Sequence, residues 1–228
     1  LGKRTIGATN VFEEDKYNGN SGSKKVNNRQ NGNDLENSIC NDRRIRTFPH
    51  IPGQWPCSIY LHVENDRNFS TLQHSALTNN CNEIMKMKQL NWEVHENGFH
   101  ASLSKEFTLP KHQINLFVQS VKKAIENSFH KYTISLTDEC VIHTNPENTR
   151  SFIGLVAHGG TKNTISIIES INNVLDQFSL PTYYKNPSIH VSIASAVGNI
   201  MSYLTNNLNP KIIDRIKCKK IECKEENA

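Results

Sequence analysis

The chain has 228 residues, with 26 Lys+Arg against 22 Asp+Glu, ten His and a hydrophobic fraction of 36%. That length suits one domain of moderate size or two small lobes sharing a core, and the low apolar fraction leaves part of the chain outside any core. No window approaches about eighteen consecutive apolar residues, and Leu1-Gly2-Lys3-Arg4-Thr5-Ile6 lacks the apolar stretch of a signal peptide, so neither a transmembrane helix nor secretion is expected.

Residues 1–42 read as a disordered Asn/Gly/Ser/Lys-rich tail, and 43–228 as the folded domain. Runs such as Asn18-Gly19-Asn20-Ser21-Gly22-Ser23 and Asn31-Gly32-Asn33-Asp34 cannot bury enough apolar surface to offset the entropy of ordering. Residues 1–46 hold nine Lys/Arg and six Asp/Glu, a basic surplus that suits plain solvation or contact with nucleic acid. Cys57 to Val63 is a β-rich run. Ser70 to Leu90 is expected to be helical, and Phe99 to Phe107 a strand with Ser at alternate positions. Pro110 opens an amphipathic helix with Ile114, Phe117, Val118, Val121 and Ile125 inside and Lys122 and Lys123 in solvent.

Tyr132–Leu136 and Cys140–His143 are expected to be paired strands, and Phe152–Ala157 another strand. A second helix carries Ile165, Ile168, Ile171, Val174, Leu175 and Phe178 and stops before Pro181. Ile189 to Val197 alternates as a strand, and Ile212 to Ile221 alternates well enough to be a last one. Helices mixed with hairpin-forming strands predict an α+β fold with antiparallel sheets. The six cysteines, Cys40, Cys57, Cys81, Cys140, Cys218 and Cys223, form no C-x-x-C pair and read as reduced, partly buried thiols.

Two histidines begin an H-x-S tripeptide, His100-Ala101-Ser102 and His190-Val191-Ser192. With 33 Ser or Thr in the chain, one or two such matches are expected by chance, so the tripeptides alone decide nothing. Their surroundings say more: Phe99-His100-Ala101-Ser102-Leu103-Ser104 and Ile189-His190-Val191-Ser192-Ile193-Ala194 share one pattern of apolar, His, small or apolar, Ser, apolar, small. The period of two on a strand puts His and Ser on one face and the apolar residues on the other. Two such strands can bring two imidazoles and two hydroxyls to one cleft. One imidazole then serves as general base and the other as general acid, while the hydroxyls donate to phosphoryl oxygens as charge builds. The alternative is that each His is a satisfied strand residue, and the duplication weighs against it.

These paired motifs resemble the two-histidine (2H) phosphodiesterase superfamily. Arg46-Thr47-Phe48-Pro49-His50 with Gly53, Trp55 and Ile59-Tyr60, then Asn148-Thr149-Arg150-Ser151-Phe152-Ile153-Gly154-Leu155 and Tyr184-Lys185-Asn186-Pro187-Ser188-Ile189-His190, resemble its U6 small nuclear RNA phosphodiesterase branch over residues 46–223. The resemblance implies a bilobal 2H phosphoesterase fold, with two antiparallel sheets flanked by helices, a pseudo-two-fold relation and a central cleft. It implies a nuclear, monomeric 3′-to-5′ exoribonuclease that trims the 3′ oligouridine end of U6 RNA. Such enzymes use no metal or other cofactor, have no membrane partner, and leave a cyclic phosphate or one opened to a linear form. By resemblance His100 and His190 are catalytic, Ser102 and Ser192 stabilise the phosphate, and Tyr184 and Ser188 bind substrate. Thr144-Asn145-Pro146 departs from relatives that carry Gln after the Asn, so no contact is carried over there.

Trp55 and Phe48 read as packing residues, and Arg150 as either a loop anchor or a phosphate contact. His50, His62, His74, His95, His112, His130, His143 and His158 share no ligand spacing and are assigned no chemistry. Two rivals stand beside the RNA phosphodiesterase: a 2H enzyme acting on other RNA ends or small cyclic nucleotides, and a non-catalytic RNA-binding module. A pure binder needs no acid–base pair, and the Arg46–Trp55 and Tyr184–Ser192 blocks count against a small-molecule enzyme.

Overall fold

A computed structural model describes residues 4–5, 51–87, 90–126 and 132–207. The expected tail, apart from Arg4–Thr5, and the expected strand at Ile212–Ile221 lie outside the described residues. In chain order the elements are β1 (Arg4–Thr5), β2 (Gln54–Cys57), β3 (Tyr60–His62), α1 (Arg67–Ser75), a π-turn (Ala76–Asn80), α2 (Asn82–Met85), β4 (Glu93–Val94), β5 (His100–Ser102), β6 (Phe107–Pro110), α3 (Lys111–Glu126), β7 (Thr133–Thr144), β8 (Arg150–Gly159), α4 (Thr161–Gln177), β9 (His190–Val197) and α5 (Ile200–Asn207). The fold is α+β, as expected. Five strands form one antiparallel sheet in the order β1-β7-β8-β9-β4, and β2–β6 and β3–β5 form two two-stranded ribbons among the described residues. Among the described residues no helix is long and apolar enough to cross a membrane.

Each helix follows from its pattern. On α4 the residues Thr164, Ile167, Ile168, Ile171, Val174 and Leu175 recur at helical spacing and are buried. Gly160 opens it at φ +77°, and a Cβ there would collide with the Thr133 carbonyl, so only glycine fits. It ends in a left-handed Ser179 (φ 55°), with Leu180 N–H donating back to Leu175 O at 2.9 Å. α3 starts directly after Pro110 and buries Phe117 and Val121, with Lys122 and Lys123 in solvent. Phe117 meets Phe107 at 5.3 Å and Phe178 of the α4 terminus at 5.1 Å, both edge-on. One contiguous apolar cluster joins Ile59 and Phe99 to Ile153, Ile168 and Val191. Each such side chain contributes about 1.5–3 kcal/mol by burial.

Four expectations need correction. The 70–90 segment is not one helix, because Asn80 Nδ2 donates to Asp138 O at 2.6 Å and ties the π-turn to a bulge of β7. The 99–107 strand breaks after Ser102, where Leu103 N–H and Ser104 N–H both donate to Ile59 O and Ser104 Oγ turns inward to accept Ile59 N–H at 2.8 Å. The two strands expected at 132–136 and 140–143 are a single bulged strand paired with β8, since Thr133 to Thr144 never reverses. Trp55 is 37% exposed instead of packed, with the Lys111 ammonium 5.8 Å from its ring.

Candidate active site

β5 and β9 carry the two H-x-S motifs, and the two strands lie side by side without pairing: β5 is bonded to β3, β9 to β8 and β4. Alternation holds on both. Ala101 and Val191 are buried, while Ser102, His190 and Ser192 are half-buried and His100 is exposed.

The two histidines are held in the same way. His100 Nδ1 lies 2.7 Å from the carbonyl of Gly98, and His190 Nδ1 lies 2.7 Å from the carbonyl of Ser188, two residues back in each case. A carbonyl only accepts, so Nδ1 carries the proton in both rings and Nε2 is left with its lone pair in the neutral form. His100 is close enough to act electrostatically on His190, disfavouring its second proton. Burial is the larger cause, and together they hold His190 below the ordinary imidazole value of 6.5. Tyr60, from β3, flanks His100 with its ring 4.9 Å away.

Two histidines given no chemistry on sequence grounds stand beside this pair. His143 of β7 stacks on His190, centroids 4.0 Å apart at 29°. His95, just after β4, bridges Ser192 and Ser195 of β9. His95 Nδ1 lies 3.3 Å from the Ser192 carbonyl, which only accepts, so Nδ1 carries the proton and Nε2 of the neutral ring accepts from Ser195 Oγ at 3.2 Å, while that hydroxyl accepts from Arg150 Nη2 at 2.8 Å. Burial, above all, lowers the His95 pKa and keeps this neutral tautomer. Arg150 thus anchors a strand.

A bulge explains how Ser195 comes to point that way. Ile153 pairs with Ala194 but Gly154 pairs with Ser192, so Ile193 is an extra residue on β9. Its carbonyl accepts His95 N–H at 2.9 Å. The inserted residue shifts the alternation by one, which brings Ser195 onto the face of His190 and Ser192.

Tyr184 is half-buried in the loop before β9, with the Lys105 ammonium 4.9 Å from its ring and Tyr183 at 5.0 Å. Ser188, half-buried, offers its carbonyl to His190. Asn145 organises its own turn, its Oδ1 accepting from Thr149 N–H at 2.9 Å and Arg150 N–H at 2.8 Å. The two motifs offer two imidazoles with their Nε2 atoms free of backbone ties and two hydroxyls, a set suited to acid–base work on a phosphodiester.

Residues 23–228 match a family model described as "HVSL: Uncharacterised conserved protein". Over 165 residues the chain is 34% identical to U6 snRNA phosphodiesterase 1 of Bos taurus, covering 72% of this chain and 59% of that protein. Over 196 residues it is 31% identical to U6 snRNA phosphodiesterase 1 of Rattus norvegicus, covering 81% of this chain and 70% of that one. A solved structure of Kluyveromyces marxianus Usb1 superposes with a TM-score of 0.47 at 12% identity, over 72% of this chain and 78% of that one.

Proposed function

The chain belongs to the HVSL family and to the U6 snRNA phosphodiesterase 1 proteins, and we propose that it is an RNA phosphodiesterase that shortens the 3′ oligouridine end of U6 snRNA from 3′ to 5′. The observation that carries the reading is the like mounting of His100 and His190, each tied at Nδ1 to a carbonyl two residues back. The 2′-hydroxyl of the penultimate nucleotide is the nucleophile. His190, held towards its neutral form by burial, takes that proton. The oxygen attacks the adjacent phosphorus, the bond to the 5′-oxygen of the terminal nucleoside breaks, and His100 delivers a proton to that oxygen. The penultimate nucleotide is left with a 2′,3′-cyclic phosphate. Water, with the two roles exchanged, opens it to a linear phosphate in a second step. Ser102 and Ser192 donate to the phosphoryl oxygens, and Tyr184 with the Ser188 loop holds the terminal nucleoside. A nuclear location belongs to the same proposal and is checked by imaging the tagged chain.

The test is incubation with 3′-oligouridylated RNA in chelator, with mass analysis of the product ends. Stepwise loss of uridine is expected, and His100→Ala or His190→Ala should lower the rate by several orders of magnitude. RNA with 2′-deoxyribose at the penultimate position should bind and resist cleavage. Normal cutting of it would mean that water attacks directly. Because His190 is lowered, the acid limb of the kcat/KM profile should fall below pH 6.5.

A further inference from the structure

His190 does not stand alone on its strand. β8 lies between β7 and β9, and on it Gly154 pairs with Val141 on one side and Ser192 on the other. A Cβ at Gly154 would meet His190 Cδ2 at 2.9 Å and its Cβ and Cγ at 3.4 Å. The missing side chain therefore lets the imidazole lie across the middle strand and reach the ring of His143 on β7. His143 is 6% exposed, too deep to touch an RNA end itself.

We propose that His143 and Gly154 are positioning residues for His190: the glycine opens the path over β8, and the His143 ring is the wall that sets the plane of the imidazole. The argument rests on His190 being the acid–base group assigned above. The bond from Nδ1 to the Ser188 carbonyl fixes one direction in the ring, and the stack fixes the ring's plane. A direction and a plane leave Nε2 a single line of aim. Rotation about that bond, which would swing Nε2 away from the phosphorus, is blocked by contact with His143 on one face.

The groups facing His190 are His100 from β5, His143 from β7 and the carbonyl of Ser188 from its own loop, while β8 presents Gly154 and pairs Val156 with it. His143 also excludes water from one face of His190.

The test uses the full chain with His143→Ala, His143→Phe and Gly154→Ala. Three measurements are made on each: thermal denaturation, imidazole NMR titration of His190, and kcat and KM on 3′-oligouridylated RNA. His143→Ala and Gly154→Ala should lower kcat by about tenfold or more, with KM little changed, because a misaimed general base costs rate and not binding. In His143→Ala the His190 midpoint should rise towards the ordinary value as water enters. In His143→Phe, which keeps a flat ring, the midpoint should stay low and most of the lost kcat should return. Should His143→Ala fail to fold, His143→Leu fills the space without a flat face and asks the same question. A folded His143→Ala with His190 titrating as before and kcat unchanged would overturn the proposal. If the unsubstituted chain does not cut RNA yet the His190 midpoint moves as expected, the positioning stands and the assigned reaction fails.

Discussion

Tyr184 bears the Lys105 ammonium over its ring, and Tyr183 supports it from the side, so the plane of the ring proposed to hold the terminal nucleoside is fixed by its neighbours. A base that stacks on such a ring gains about 1–3 kcal/mol. Tyr184→Ala should therefore weaken RNA turnover about ten- to a hundredfold, and Tyr184→Phe little. Equal damage from both, in the same assay, would assign the role to the hydroxyl. At this scale the H-x-S pairs were legible because a strand's period of two is local. His95 and His143 were not, because their partners come from other strands and no spacing announces them. Gly154 did leave a sign: a glycine inside the apolar run Phe152-Ile153-Gly154-Leu155 marks a place where something approaches the backbone closely.

Among elements, α5 shows how a short helix without a strong signal is docked. Ser151 of β8, fully buried, donates to Gly198 O at 2.8 Å and accepts from Ile200 N–H at 3.0 Å, the first residue of that helix. Thr144 of β7 reaches the same hydroxyl at 3.2 Å. Ser151→Ala strips a buried acceptor and donor at once and should cost about 1–3 kcal/mol in urea denaturation, with the His100–His190 pair undisturbed. α3 and α4 were readable because their apolar stripes are long and bounded by Pro110 and Pro181. The 70–90 and 99–107 segments were misjudged because side chains such as Asn80 and Ser104 bond to distant backbone and override the local period.

For the whole molecule, His95 and His190 both have folded-state pKa values lowered chiefly by burial. The unfolded chain then binds more protons than the folded one as pH drops below 6.5, so the stability they contribute is full above that value and is lost as pH falls. The urea midpoint should drop between about pH 7.5 and about pH 5.5, and His95→Gln should flatten that slope. A midpoint that rises on acidification would contradict the buried neutral state of both rings. The α+β class and the antiparallel pairing were legible from alternation alone, whereas the strand order β1-β7-β8-β9-β4 was not, since it depends on pairings far apart in sequence.

The two motif strands differ in how firmly they are anchored. His190 and Ser192 ride on a strand paired with β8 from Arg150 to Val156 and braced by β4 at Ala194 and Ser195, but His100 and Ser102 ride on a ribbon of three residues against three, paired through Tyr60, Leu61 and His62. Short ribbons open by local fluctuation at far lower free energy than the body of a sheet. In deuterium labelling the amides of Leu61 and Ala101 should therefore exchange well before those of Val141 and Leu155. On heating, the proposed activity on RNA should be lost at a temperature where circular dichroism still reports an intact fold, because His100 has come adrift while the sheet that holds His190 has not.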